Sequence, residues 1–145
     1  MVFFLSYKYV ILSFVKLLQK NGHKEFSELC LHICLCFIKK FEKKKPFLVM
    51  RESFYKTKPF CEIKNIRISG TNYKLPVEIK PEKQKSIFFR WLLMNNTNLS
   101  SAVILSSNLS KEIAYASNNS SKIIKLCDNF HKLSETNKMY LDYRF

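Results

Sequence analysis

The apolar residues Val10, Phe14, Val15 and Leu18 mark one face of a helix running to Lys20, and Asn21–Gly22 supplies its stop. Phe26, Leu29, Cys30, Ile33, Phe37 and Phe41 then recur at three- and four-residue intervals, a stripe that reads as the core face of a second helix. "KKFEKKKP" closes it with five lysines at the end where the helix dipole favours positive charge. A short helix is expected over 47–56, and after Pro59 the period changes to two. Ile66 and Ile68 flank Arg67, "SGTN" makes a turn, and Tyr73, Leu75, Val77 and Ile79 alternate with Lys74, Pro76, Glu78 and Lys80, which predicts a β-hairpin. Helical spacing returns with Ile87, Phe88, Trp91 and Leu92. The loop "NNTNLSS" separates these from a helix with Ala102, Leu105, Leu109 and Ile113, and "SNNSS" leads to a last one with Ile123, Leu126, Phe130 and Leu133. The expected fold class is mainly α: a single domain over 1–145 of about six helices, with a protruding two-stranded β-hairpin arm over about 60–80. A lone two-stranded ribbon is marginal in water, so its apolar face must rest on helices or on a partner.

Charge sharpens this picture. The chain has 25 Lys and Arg against 11 Asp and Glu, a net charge of +14 that favours polyanionic partners. Just four of the basic residues are arginine (Arg51, Arg67, Arg90 and Arg144), and with two glycines and abundant Lys, Asn, Ile and Phe the composition has the bias of an AT-rich genome, as in an organelle.

Two apolar stretches raise the question of a membrane. "MVFFLSYKYVILSFVKLL" is interrupted by Lys8 and has neither a preceding basic region nor a small-residue cleavage site, so no signal peptide is expected. "LCLHICLCFI" is too short to cross a bilayer, and no membrane insertion is expected.

Candidate chemistry is sparse. Cys30, Cys34, Cys36, Cys61 and Cys127 read as core thiols: on a helix Cys30 and Cys34 share a face from which His32 and Cys36 point away, and no second C-x-x-C pair completes a tetrahedral metal site. No nucleophile elbow, phosphate-cradling glycine loop or helical His pair is present, so the expectations are no catalytic residues, no metal and no cofactor.

The most specific signal is basic. From Lys58 to Arg90 there are eight Lys or Arg (Lys58, Lys64, Arg67, Lys74, Lys80, Lys83, Lys85, Arg90) against three Glu. Lys74 and Lys80 lie across the strand from Tyr73, Leu75, Val77 and Ile79, so one side can pack while the other meets phosphates. An ordinary hairpin with a solvated outer face fits that pattern as well.

The order of residues in "KPFCEIKNIRISGTNYKLPVEIKPEKQKSIFFRW" resembles the ribosomal protein seven family of the small subunit. The resemblance lies in Pro59 before the strand, Arg67-x-x-Gly70, Tyr73-x-x-Pro76-Val77-Glu78, Lys80–Pro81 and Arg90–Trp91. "NFHKLSETNKMYLDYRF" is similar to the family's other signature, and "FVKLLQKNGHKEFSE" to its first helix and Gly-Lys turn, so about residues 10–145 are covered. The resemblance implies a structural, non-enzymatic protein bound to the 3′ (head) domain of small-subunit rRNA, beside neighbouring head proteins. It implies Lys24, Arg67, Lys74, Lys80, Lys83, Arg90, His131, Lys132 and Arg144 as rRNA-facing positions, which Lys64 and Lys85 of the basic segment join. The hairpin tip Ile68, Ser69, Gly70, Thr71 and Asn72 would face the exit-site tRNA and mRNA path.

The chain departs from the family in three places: a short apolar "MVFFLSYKY" stands where the family has a basic tail, Ser69 stands in a usual glycine pair, and "NNTN" follows the Trp91 helix where basic residues are common. These losses and the AT-rich bias point to an organellar ribosome, mitochondrial in preference to plastid. The competing readings are a basic membrane-surface protein and an RNA-binding regulator outside the ribosome.

Overall fold

The structure is a computed structural model that describes residues 11–19, 21–94 and 101–143. Helix α1 covers 11–18, followed by α2 (Lys24–Glu42), α3 (Pro46–Thr57), strands β1 (Cys61–Ile68) and β2 (Thr71–Glu78), α4 (Pro81–Met94), α5 (Ala102–Ser117), α6 (Lys122–Thr136) and a 3₁₀ segment (Lys138–Tyr143). Each boundary has a local cause. Asn21 and Gly22 take φ of 53° and 80° between α1 and α2, and Lys43 closes α2 in the left-handed conformation at φ 53°. Pro46 opens α3 and Pro81 opens α4 at a position where a missing N–H costs nothing. The Ser121 hydroxyl caps α6, accepting from the Ile123 N–H at 3.0 Å. The expected loop at 95–100 and the expected contribution of Val10 lie outside the described residues.

Phe14, Val15, Leu18, Ile38, Val49, Phe88, Phe89, Leu92, Leu109, Ile113 and Ile123 form a continuous buried cluster that runs from α1 to α6. Its centre is aromatic: Phe14 and Phe89 have centroids 4.9 Å apart, Phe88 and Phe89 5.1 Å, and Phe54 meets Phe88 edge-on at 5.5 Å. Trp91 packs on Phe130 at 5.2 Å, so it serves the core.

Small residues set how closely α2 and α5 approach. Ser27, Cys30 and Cys34 of α2 and Ser106, Ser110 and Ala116 of α5 are buried. The Ser106 hydroxyl lies between the carbonyls of Cys30 (2.9 Å) and its own helix's Ala102 (2.6 Å), so a polar group is buried without being orphaned. This corrects the expected core stripe of α2. The helix is rotated so that Ser27, Cys30, Leu31, Cys34 and Ile38 face inward, and Phe26, Leu29 and Phe41 are exposed, Leu29 at 55% and Phe41 at 50%. Close packing against α5 needs small side chains, which periodicity of apolar residues cannot distinguish from large ones. The same holds for α6, where Ile123, Cys127 and Ser134 are buried while Leu126 and Leu133 reach the surface. Cys30, Cys34 and Cys127 are core thiols as expected, but Cys61 is half-buried and Cys36 exposed.

Strands β1 and β2 are antiparallel, in a register that pairs Ile68 with Thr71, Arg67 with Asn72, Asn65 with Lys74, Lys64 with Leu75 and Ile63 with Pro76. The ladder continues one step toward the helices through Ile79 N–H donating to the Phe60 carbonyl at 3.1 Å. Helix α6 packs on β1 and the 3₁₀ segment on β2, where Tyr140 meets Tyr73 with centroids 5.4 Å apart. The ribbon thereby receives the support that two strands cannot give each other.

Candidate nucleic-acid interface

Cross-strand partners share a face, so the register divides the ribbon's charges. One face carries Arg67 beside Asn72 and Asn65 beside Lys74, all four exposed. Nearer the helices the next pair on that face is Ile63–Pro76, with Pro76 buried, while Leu75 on the opposite face is also buried. The ribbon therefore has an outer half with a polar, cationic side and an inner half in which Leu75 and Pro76 are buried on opposite faces. Lys80 is exposed just beyond β2, and Arg90 is exposed on α4.

Two of the expected cations are differently placed. Lys64 is paired with Leu75, on the face away from Arg67 and Lys74. Its Nζ lies 3.7 Å from Glu62, and the Lys83 Nζ lies 2.5 Å from the other oxygen of the same carboxylate. Glu62 ties the start of α4 to β1 and lowers the net charge that this corner offers a phosphate. Lys85 is half-buried. Lys24 sits at the start of α2, whose packing partners are α5 and α3, and is paired with Glu28 at 3.5 Å. Lys132 is exposed on α6, and Arg144 lies outside the described residues.

His131 is held by the hairpin base. The Phe60 backbone N–H donates to His131 Nε2 at 3.2 Å, and the Phe60 ring stacks on the imidazole at 5.7 Å and 28°. Accepting at Nε2 leaves the neutral ring's proton on Nδ1, 3.9 Å from the Cys127 sulfur. Burial pushes the Cys127 thiol up to about 11, with the nearby Asp128 charge acting in the same direction, so this sulfur stays a neutral thiol at ordinary pH. His131 is thus a structural bracket between α6 and the hairpin as well as a polar surface group.

The expected set omitted an aromatic platform. Tyr55 and Phe60 are each 60% exposed, and the Lys58 Nζ lies 5.3 Å from both ring centroids. Exposed rings alternating with cations can meet both the bases and the phosphates of a single strand. The sequence signal was "FYKTKPF", where aromatic and basic residues interleave.

At the tip, Ser69 (φ 49°) and Gly70 (φ 86°) give positive φ at both central positions, the turn that matches strand twist, and Thr71 Oγ1 donates to the Ile68 carbonyl at 2.9 Å. Ser69 keeps this conformation despite its Cβ. A Cβ on Gly70 would meet no atom within 4 Å, so Gly70→Ala isolates the backbone cost. It is expected to destabilise the chain by about 1–2 kcal/mol in urea unfolding, and Ser69→Gly is expected to move stability the other way.

No group of three or more His, Cys, Asp or Glu among the described residues is placed to hold a metal ion, and no described helix is long and apolar enough to cross a membrane. A ribbon with one cationic side next to an aromatic–lysine platform is chemically suited to a polyanionic partner that offers phosphates and unpaired bases. The chain belongs to the ribosomal protein S7p/S5e family, whose sequence model matches residues 5–138. It is similar to the small ribosomal subunit protein uS7 of Lactobacillus delbrueckii subsp. bulgaricus, 30% identical over 128 residues that cover 88% of this chain and 81% of the relative. The uS7 protein of Heliobacterium modesticaldum is 30% identical over 136 residues, covering 94% and 86%, and that of Geotalea daltonii is 28% identical over 136 residues.

Proposed function

We propose that this chain is a structural, non-catalytic component of an organellar small ribosomal subunit that binds the 3′ (head) domain of its rRNA through the outer half of the ribbon and the adjoining face of α4. The observation that carries the reading is the exposed set Arg67, Lys74, Lys80 and Arg90, unpaired by any described carboxylate, in a member of a ribosomal protein family. Such contacts fix register on a phosphate backbone without reading sequence. The tip Ile68–Asn72 points the ribbon's end at the exit-site tRNA and mRNA path, and Tyr55 and Phe60 stack on unpaired bases beside Lys58. Neighbouring head proteins complete the environment. The mitochondrion is the proposed compartment, with the plastid as alternative; the AT-rich composition supports an organelle, and the relatives compared are bacterial.

The test is sedimentation of the tagged chain from organelle lysate through sucrose at moderate and then raised salt, with small-subunit rRNA probed in each fraction. Comigration with small subunits in both conditions is expected. Release already at moderate salt would favour a free RNA-binding regulator, and lipid association that survives nuclease would favour a membrane-surface protein.

A further inference from the structure

The outward face of α2 is more apolar than a solvated helix requires. Phe26, Leu29, Ile33 and Cys36 follow one another at intervals of three, four and three residues, with Phe37 and Phe41 alongside. That spacing is the a/d seam of a helix meant to meet another helix. Phe26, Leu29, Cys36 and Phe41 are exposed, and the strip opens as a shallow groove of about 360 Å³ between His32 and Lys40. The opposite side of the same helix, through Cys30, Cys34 and Ile38, is already committed to the core. A helix apolar on both sides belongs between two partners, and an exposed contiguous strip of this kind marks an interface.

We propose that this face docks an amphipathic helix of a second small-subunit protein, running antiparallel to α2. This rests on the ribosomal reading above and names a partner within it. The flank charges set the direction: Lys39, Lys40, Lys43 and Lys44 outweigh Glu42 at the end of α2, while its start is close to balanced, with Lys24 paired to Glu28 at 3.5 Å and Glu25 beside them. A helix with an ordinary acidic first turn sets that turn against the basic end of α2 when it runs antiparallel. RNA is the weaker fit, because the seam presents apolar atoms where phosphate contacts need donors. A second copy of the chain would bring two +14 bodies together.

Cys36 supplies the probe, being an exposed thiol in the middle of the seam, while burial raises the Cys34 thiol to about 12 and makes it an internal unreactive control. The full chain, free and in sucrose-purified small subunits, is labelled with a maleimide, and labelling is followed residue by residue by mass spectrometry. Cys36 is expected to react freely in the isolated chain and at least about ten-fold more slowly in subunits, with protection that survives nuclease. In Ile33→Asp subunits that protection is expected to fall while the variant still cosediments. Three results would overturn the proposal: equal labelling in subunits, protection that disappears with nuclease, or protection of the isolated chain that grows with its concentration. Absence of the chain from small subunits would instead remove the ribosomal reading and this inference with it.

Discussion

Changing Arg67, Lys74, Lys80 and Arg90 together to alanine is expected to lower the slope of log affinity against log salt by roughly three units for binding to a 3′-domain fragment of small-subunit rRNA. Each phosphate contact releases roughly 0.7–0.9 of a counterion, so four lost contacts account for that figure. The four side chains are exposed, and three of them follow one another along the ribbon's outer half and the entry to α4. Folding should be unaffected, since none supports the core, and circular dichroism of the variant checks that. The contrast is with Lys64→Ala and Lys83→Ala. Both side chains share the Glu62 carboxylate, and each change is expected to move the salt slope by well under one unit. Equal slopes for the quadruple variant and the parent would remove this face from the interface, and a large effect of Lys83→Ala would show that phosphate displaces Glu62.

The contrast between these cations shows where sequence reasoning reached its limit. Six helices and a hairpin were legible because their signals are local: the period of the apolar residues, its change to two after Pro59, and the Ser69–Gly70 turn between two alternating runs. Which side of each element faces inward is a tertiary property. On α2 the largest apolar residues suggested one face, and the need for close approach to α5 chose the face with Ser27, Cys30 and Cys34. On the ribbon, alternation placed Lys74 correctly opposite Leu75, but the partner strand's register put Lys64 on Leu75's side. The pairing of Lys83 with Glu62, 21 residues away, has no local signature at all. His131 was recognised from a motif as a surface contact; its bond to the Phe60 N–H, made 71 residues across the chain, could only come from the assembled fold.

Phe88→Ala is expected to cost about 3–5 kcal/mol, the range for deleting a fully buried aromatic ring. Phe88 is 0% exposed, and its ring meets Phe54 of α3 at 5.5 Å and Phe89 of its own helix at 5.1 Å. Phe89 in turn meets Phe14 of α1 at 4.9 Å, so the cavity would open where α1, α3 and α4 converge and could close only by moving whole helices. Against a usual total of about 5–15 kcal/mol, such a loss leaves the free chain near the edge of folding. Urea unfolding of the free chain, followed by circular dichroism, measures it, with Phe88→Leu expected to lose roughly half as much because most of the volume is retained. The edge-on pair with Phe54 is expected to show a coupling of about 0.5–1.5 kcal/mol in a double-mutant cycle with Phe54→Leu. A cost under about 1 kcal/mol for Phe88→Ala would mean that α3 and α4 do not meet through this ring. The ribbon's placement would then lose its support as well, because β1 follows directly from α3 and β2 leads directly into α4.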